Sequence, residues 1–584
     1  MRDDFVIHDA WDFGDIAALL KLWGIPFDVL RLDTHTLGEA DFLDADGRPK
    51  YGAIVWTARG QKDHPWRRQD YGIAARAVTK LHIGFIAVGN KIQEPPIQDV
   101  LGLRYAGFTE EAVPVAATAS GHFITRGMEK ETVPAEQAFE EGEAVVEIAA
   151  KDVAILALAG GRPQLTARTL DPASRTRAVW IGGDPDLVFH ASPFFIRVLR
   201  RALVWVMGYG FYKDYEKTVV LRMDDPGSSQ SAYFQGWDYA QLDEAAIRDS
   251  ILAPLRARGA RLGVAFCPGY PWIPDRSIRR SAALDFIDPR GVRQNIVSTR
   301  AGLLAGMSEG LIEVQSHGLT HMAPDLSMPP PDGKSWWDGS WTVEWPDERW
   351  YREFRDERHG RDIDAAVQLE LLRRSADWIA DDFGRRPLVF IPGGHSISGD
   401  EFAEGDGPVP PHIAANYTYK LAAEAGYGLG LDLGAHYLGR DRVISLDVCW
   451  SQDPAGNFAR GVPAVLYFHD KDVRQKTGFL AGLLETIDPQ ASFLGMDEWV
   501  AYLHASPAVA AGAAGGLDLS VESDPVYGRY FETHPSTWTF HLSDELRAEL
   551  DARAGRPGWS ERRTVTVPAG PGKRVVRLAP EELE

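Results

Sequence analysis

Two adjacent carboxylates, Asp224 and Asp225, close the apolar run Val219-Val220-Leu221-Arg222-Met223, and Pro226-Gly227 follows them. An apolar run ending in acids and a forced turn predicts a strand that delivers both side chains to its C-terminal end. Parallel α/β sheets carry their chemistry at that end. Neighbouring aspartates repel when both are ionised, so one pKa rises unless a cation lies between them. Downstream, a second apolar run from Leu311 passes through Gln315 and Ser316 into His317-Gly318-Leu319-Thr320-His321. If the chain enters a helical turn after Ser316, both imidazoles project from one side, a spacing that suits a divalent metal. Asp225, His317 and His321 would then be three ligands with positions left open, the pattern of a catalytic rather than a structural zinc site. Each signal has a bland reading alone, since Asp-Asp-Pro-Gly is good turn chemistry and His-x-x-x-His arises by chance. The order of the two on successive strand ends gives them weight.

The elements that must position these residues are legible around them. Thr218 to Met223 reads as a strand, and Leu242, Ala246, Ile247, Ile251 and Leu255 share one helical face. Gly259 caps that helix and Leu262 to Phe266 is the next strand. Ala365 to Phe383 is a second helix, ended by Gly384 and Pro387, before a strand from Leu388 to Ile391. Helix, glycine, strand in repetition describes βα units and a parallel sheet, here a deformed (β/α) barrel over residues 213–506. Residues 1–212 alternate short apolar runs with helical patterns: Phe5-Val6-Ile7, Phe27 to Leu30, Ala53 to Trp56, Phe85 to Val88 and Ala178 to Ile181 as strands, and Pro193 to Met207 as a helix. They predict an open α/β domain loosely similar to flavodoxin or glutamine-amidotransferase layers. Its Gly160-Gly161 and Gly182-Gly183 pairs read as tight turns, not phosphate loops. It has no cysteine nucleophile, so a non-catalytic role is expected. Residues 507–584 read as a flexible linker, Ala508 to Gly516, and a small β-rich appendage.

A chain of 584 residues exceeds one core. A formal net charge of −21 disfavours nucleic acid and anionic membrane surfaces as partners. Only Cys267 and Cys449 are present, which excludes a disulfide framework and a cysteine-rich zinc site. No run approaches the roughly 20 apolar residues of a membrane span. Met1-Arg2-Asp3-Asp4-Phe5 carries no export signal pattern, so a cytoplasmic location is the expectation.

The order of motifs resembles the polysaccharide deacetylases, the chitooligosaccharide-deacetylase or NodB homology domain. Met223-Asp224-Asp225-Pro226-Gly227 is similar to that family's Thr-Phe-Asp-Asp-Gly, with one residue inserted before the glycine. His317-Gly318-Leu319-Thr320-His321 is similar to its His-(Ser/Thr)-x-x-His. Phe390-Ile391-Pro392-Gly393-Gly394 stands at its Arg-x-Pro-x-Gly, and Leu466-Tyr467-Phe468-His469 at its Leu-x-His. The resemblance spans Lys213 to Ser506. It implies Asp224 as general base, Asp225, His317 and His321 as ligands to a divalent metal, Zn²⁺ in the first instance, and His469 as general acid. It also implies Pro392, Gly393, Gly394 and His395 as a substrate wall, and hydrolysis of an N-acetyl group on an amino sugar or glycan. Phe390 replaces the arginine that holds the family's catalytic aspartate, with Arg222 and His395 as candidates for that duty. A long insert, Asp325 to Arg361, carries Trp336 and Trp337, which read either as a sugar-stacking wall or as a satellite core. A metal-dependent hydrolase of a small amide or ureide, and a catalytically degenerate sugar-binding protein, are the competing readings.

Overall fold

The computed structural model describes residues 6–7, 14–30, 32, 35–58, 68–90, 92–137, 143–185, 188–189, 192–233, 237, 239–322, 352–356, 361–395, 397–398, 417–431, 436–438, 443–445, 454–511, 516–554 and 560–578. Six parallel strands carry the predicted motifs: β1 (Thr218–Asp224), β2 (Leu262–Phe266), β3 (Ile312–Ser316), β4 (Val389–Phe390), β5 (Leu429–Gly430) and β6 (Ala464–His469). They lie in the order β5-β4-β3-β2-β1-β6 within a curled, half-barrel sheet. Every residue of β1, β2 and β3 is buried, as expected of parallel strands covered on both faces, and β3 buries Glu313, Gln315 and Ser316 along with its apolar residues.

The crossovers are helical and capped as their sequences predict. Asp243 accepts a hydrogen bond from the Ala246 N–H at 2.8 Å and starts the first crossover. This consists of Glu244–Ile247, a π-type turn Arg248–Leu252, and Ala253–Arg258. Pro254 explains the wide turn: it has no N–H to return to the carbonyl four residues back. Ala365–Phe383 begins at Asp364, whose side chain accepts from Ala366 N–H, and ends at Gly384 with φ +78°, a left-handed cap conformation that glycine adopts without penalty.

The N-terminal region differs from its expectation in three respects. Its seven-stranded sheet runs Ala53–Ala58, Gly84–Gly89, Thr176–Ile181, Arg162–Asp171, Val153–Ala159, Val115–Ala117, Thr132–Val133. Only the first three are mutually parallel. The other four are antiparallel, so the flavodoxin-like pattern is limited to one half. Gly160 and Gly161, at φ +55° and +82°, form the two-residue turn of its central hairpin. Val6–Ile7 pairs instead with His436–Leu438 in the motif-bearing sheet. Phe27 to Leu30 forms no strand; Phe27 and Val29 pack against the core.

The expected linker is also partly corrected. Ser506–Ala511 is a strand paired antiparallel to Leu517–Glu522, with Val509 opposite Leu519 and packed on the core. Small side chains there serve close pairing. In the C-terminal region Ser536–Leu542 pairs with Tyr209–Tyr212. One apolar cluster runs through all three stretches, joining Leu19, Val179 and Leu199 to Val220, Val465 and Trp499, and to Trp538 and Val565. Among the described residues no helix is long and apolar enough to cross a membrane.

Candidate metal centre and active site

Alternation along β1 sends Val219, Leu221 and Met223 into one apolar cluster and leaves Arg222 and Asp224, two residues apart, on the other face. Arg222 uses that spacing to grip its neighbour: Nε donates to Asp224 Oδ1 at 2.7 Å and Nη2 to Oδ2 at 2.5 Å. Both side chains are buried, and this two-pronged geometry is the strongest an arginine and a carboxylate can adopt. Register places Asp224 beside His469 of β6, and Arg222 beside Tyr467. Burial raises the Asp224 carboxyl, but the Arg222 and His317 charges more than offset this and hold it below its ordinary value.

Asp225 leaves the strand at φ +84°, a conformation that costs a non-glycine residue and persists only where surrounding structure enforces it. Its two oxygens are buried and receive no hydrogen bond from the described residues. His317 Nε2 stands 3.3 Å and His321 Nε2 3.5 Å from its Oδ1, and one ligand atom from each of the three lies within 4.8 Å of the others. His317 Nδ1 is 3.0 Å from the Ile391 carbonyl. That oxygen can only accept, so Nδ1 carries a proton and Nε2 is the nitrogen turned toward Asp225. A buried carboxylate that receives no hydrogen bond from the described residues and is faced by two imidazole nitrogens suits a cation between them. The donor set fits a divalent metal with open positions. Burial raises the Asp225 carboxyl, and the imidazoles of His317, His469 and His321 bring it well below the usual carboxylate range.

The two histidines do not sit on a helical turn, contrary to expectation. Gly318 has φ +78° and His321 φ +64°, and the loop is folded around a carboxylate from elsewhere. Glu353 accepts the N–H groups of Leu319, Thr320 and His321 at 3.1, 3.1 and 3.0 Å. A helix would have directed those N–H groups along its own axis. The rings of His317 and His321 nevertheless meet at 4.8 Å.

The segment after β4 packs beneath the ligands. The Ile391 N–H bonds to the Ser316 carbonyl at 2.9 Å. Gly393 lies so close to His321 that a Cβ there would stand 2.7 Å from the imidazole. Pro392, Gly394 and His395 line the site cavity. Phe390 is buried among Phe354, Tyr419 and Tyr427. The position that the family resemblance fills with arginine therefore faces the core here. Of the two candidate replacements, Arg222 holds Asp224. Trp336 and Trp337 lie outside the described residues.

His469 ends β6 with its Nδ1 3.5 Å from Asp472 Oδ2 and its ring edge-on to Trp237 at 4.8 Å. Burial lowers its pKa, but Asp472, Asp225 and Asp224 outweigh burial and lift it to about 9, so the ring is protonated near neutrality. The cavity, of about 290 Å³, is lined by Asp224, Asp225, His317, His321 and His469 together, close to the lower size of small-molecule sites. Trp237, Arg352 and Tyr467 complete its wall. These three, with Glu353 and Asp472, escaped the sequence reading. Asp472 alone had a local signal, an acid three residues after a strand-end residue, where it accepts the His469 N–H at 2.8 Å.

No protein-family model matches the chain, and no curated protein matches it. Among solved structures, it is similar to the BpsB deacetylase domain from Bordetella bronchiseptica, at 16% identity over 43% of this chain and 72% of that one, with a TM-score of 0.22. A family 4 acetyl xylan esterase from Clostridium thermocellum, in complex with a cobalt ion, matches at 12% identity over 48% of this chain and 90% of that one, TM-score 0.22. A CE4 family pseudoenzyme from Bacillus anthracis matches at 10% identity over 49% of this chain and 66% of that one, TM-score 0.22. These three solved structures are described as a deacetylase domain, a family 4 acetyl xylan esterase and a CE4 family pseudoenzyme, each at 16% identity or less to this chain.

Proposed function

We propose that this chain is a metal-dependent hydrolase that removes the acetyl group from the nitrogen of an amino sugar or glycan. The observation that carries the reading is the buried trio Asp225, His317 and His321, with both Asp225 oxygens lacking donors among the described residues, beside a second carboxylate already held by Arg222. Asp225, His317 and His321 would hold the cation, Zn²⁺ in the first instance, which supplies Lewis-acid polarisation of the carbonyl and lowers the pKa of water in the site. Asp224, kept ionised by Arg222, accepts a proton from water as its oxygen adds to the acetamide carbon. The carbon–nitrogen bond breaks as His469, whose Nδ1 stands 3.5 Å from Asp472, gives its proton to the leaving nitrogen. Acetate and a free amine result. Trp237 and Tyr467 line the cavity wall, and aromatic side chains there suit the apolar body of a pyranose.

The reading as a sugar-binding protein without catalysis drew its support from Phe390. The Arg222–Asp224 pair supplies from β1 the ion pair that Phe390 cannot make, which favours a working base. Acetate release from N-acetylglucosamine and N-acetylgalactosamine oligomers, compared between wild type and Asp224→Asn, tests the chemistry. Release abolished in the variant is the expected result; no release by the wild type across such a panel would sink the glycan reading. Metal analysis of His317→Ala tests the centre separately, and a zinc content equal to wild type would overturn it.

A further inference from the structure

Glu353 is 1% exposed and has no place in the proposed chemistry. Its Oε1 accepts the Leu319 N–H, and its Oε2 accepts those of Thr320 and His321. Three consecutive backbone donors wrapped around one carboxylate form an anion nest, and the anion arrives from 32 residues beyond His321 in the chain. The loop is built to admit it. A Cβ on Gly318 would stand 2.3 Å from Glu353 Oε2, and Gly318 has φ +78°, so both space and backbone conformation call for glycine. The neighbouring Arg352 lines the site cavity, so the same short segment touches the ligand loop and the cavity wall.

We infer that Glu353 is the positioning residue of the metal centre: by gathering the N–H groups of Leu319, Thr320 and His321 it sets the direction from which His321 Nε2 approaches Asp225. This rests on the proposed metal reading. The backbone of a three-residue loop between two ligands has many conformations that satisfy sequence spacing, and few that bring both imidazoles within 3.5 Å of one carboxylate oxygen. The three hydrogen bonds select among them before any cation binds, and such supporting groups govern metal affinity.

The test uses the full-length protein, stripped of metal, titrated with Zn²⁺ against a chromophoric chelator, and loaded separately with Co²⁺ for its visible absorption spectrum. Glu353→Gln turns one acceptor into an amide NH₂ facing N–H donors while keeping size, and should weaken Zn²⁺ binding roughly ten- to hundredfold and change the Co²⁺ band pattern. Gly318→Ala, which displaces the carboxylate without altering any ligand, should shift both readouts the same way. A role in folding alone would lower the melting temperature of the apo-protein and leave the Zn²⁺ affinity and Co²⁺ spectrum of the folded fraction unchanged. Wild type that binds Zn²⁺ alongside variants with unaltered affinity and spectrum overturns this inference and spares the metal reading. Wild type that binds no Zn²⁺ overturns both. If neither variant folds, hydrogen exchange on the wild type decides: slow exchange at Leu319, Thr320 and His321 is expected, and exchange at the rate of an open loop refutes the clamp.

Discussion

Replacing Arg222 by methionine removes the guanidinium from both oxygens of Asp224 and keeps most of the apolar stem. Arg222 is 1% and Asp224 3% exposed, and their contacts are 2.7 and 2.5 Å. Taking one partner from a buried pair leaves the other as an unpaired buried charge, at a cost of about 3–5 kcal/mol. In a domain of a few hundred residues each kcal/mol moves the melting temperature by about 2–4 °C, so a fall on the order of 6–20 °C is expected. The pH dependence of this deficit has a definite sign. In the wild type the folded Asp224 carboxyl lies below its ordinary value, so the pairing contributes stability present above the unfolded pKa and lost as pH falls through the folded one. In Arg222→Met burial acts without its main opponent, the folded pKa rises above the unfolded value, and the ionised carboxylate destabilises at neutrality. Protonation relieves that, so the gap to wild type should narrow between about pH 7.5 and about pH 5.

Four proteins complete the measurement: wild type, Arg222→Met, Asp224→Asn, and the double variant, each followed by calorimetry at both pH values. Each single change strands one charge; the double change strands neither, so it should melt above Arg222→Met. Additive losses, or an Arg222→Met protein melting within ~1 °C of wild type at neutral pH, would refute the claim that this pair is a coupled unit. Activity adds an independent check, since a base deprived of its partner should lose about 10²–10⁴-fold in rate.

Gly393→Ala drives a methyl to within 2.7 Å of the His321 ring while leaving every proposed ligand in place. It should weaken Zn²⁺ binding by about tenfold or more, read by chelator competition, and unchanged affinity would show that His321 can yield. His122 gives a prediction remote from the site. Its Nδ1 accepts the Ile124 N–H at 3.2 Å, its ring lies edge-on to Trp205 at 4.9 Å, and burial lowers its pKa to about 4. The unfolded chain therefore binds this proton at higher pH than the folded one, and the associated stability, present above the unfolded pKa near 6.5, is lost as pH falls toward 4. His122→Gln should flatten the fall in melting temperature across that window; an identical slope in the variant would argue against a neutral buried imidazole.

What could be read from the sequence was what local pattern determines. β1 and β6 announce themselves because buried parallel strands are largely apolar runs, and their abrupt change to Asp224-Asp225 and His469 marks the sheet edge that bears the candidate site; β3, with Glu313 and Gln315 inside it, is marked by Ile312, Val314 and the change to His317. The bounds of Ala365–Phe383 were legible because Asp364 and Gly384 cap it chemically. What escaped depends on partners far along the chain. Val6–Ile7 looks like the first strand of its own region, yet its hydrogen bonds go to His436–Leu438. The four antiparallel strands of the N-terminal sheet and the strand in Ala508–Ala511 were hidden because side-chain pattern does not state pairing direction.

The same division runs through the candidate site and says how it is built. The two groups proposed to exchange protons with substrate, Asp224 and His469, stand opposite each other at strand ends, where register fixes them. The groups that orient them follow no common local rule. Arg222 reaches Asp224 by the two-residue period of its own strand, a relation visible in sequence once the strand is accepted. Glu353 reaches the His317–His321 loop across 32 residues, where no spacing could reveal it. Phe390 shows why this distinction matters: where the resemblance has an arginine on this element, the cation that holds Asp224 comes instead from Asp224's own strand. An inference of degeneracy from one missing motif residue therefore requires first asking which buried cation, if any, the catalytic carboxylate has found instead.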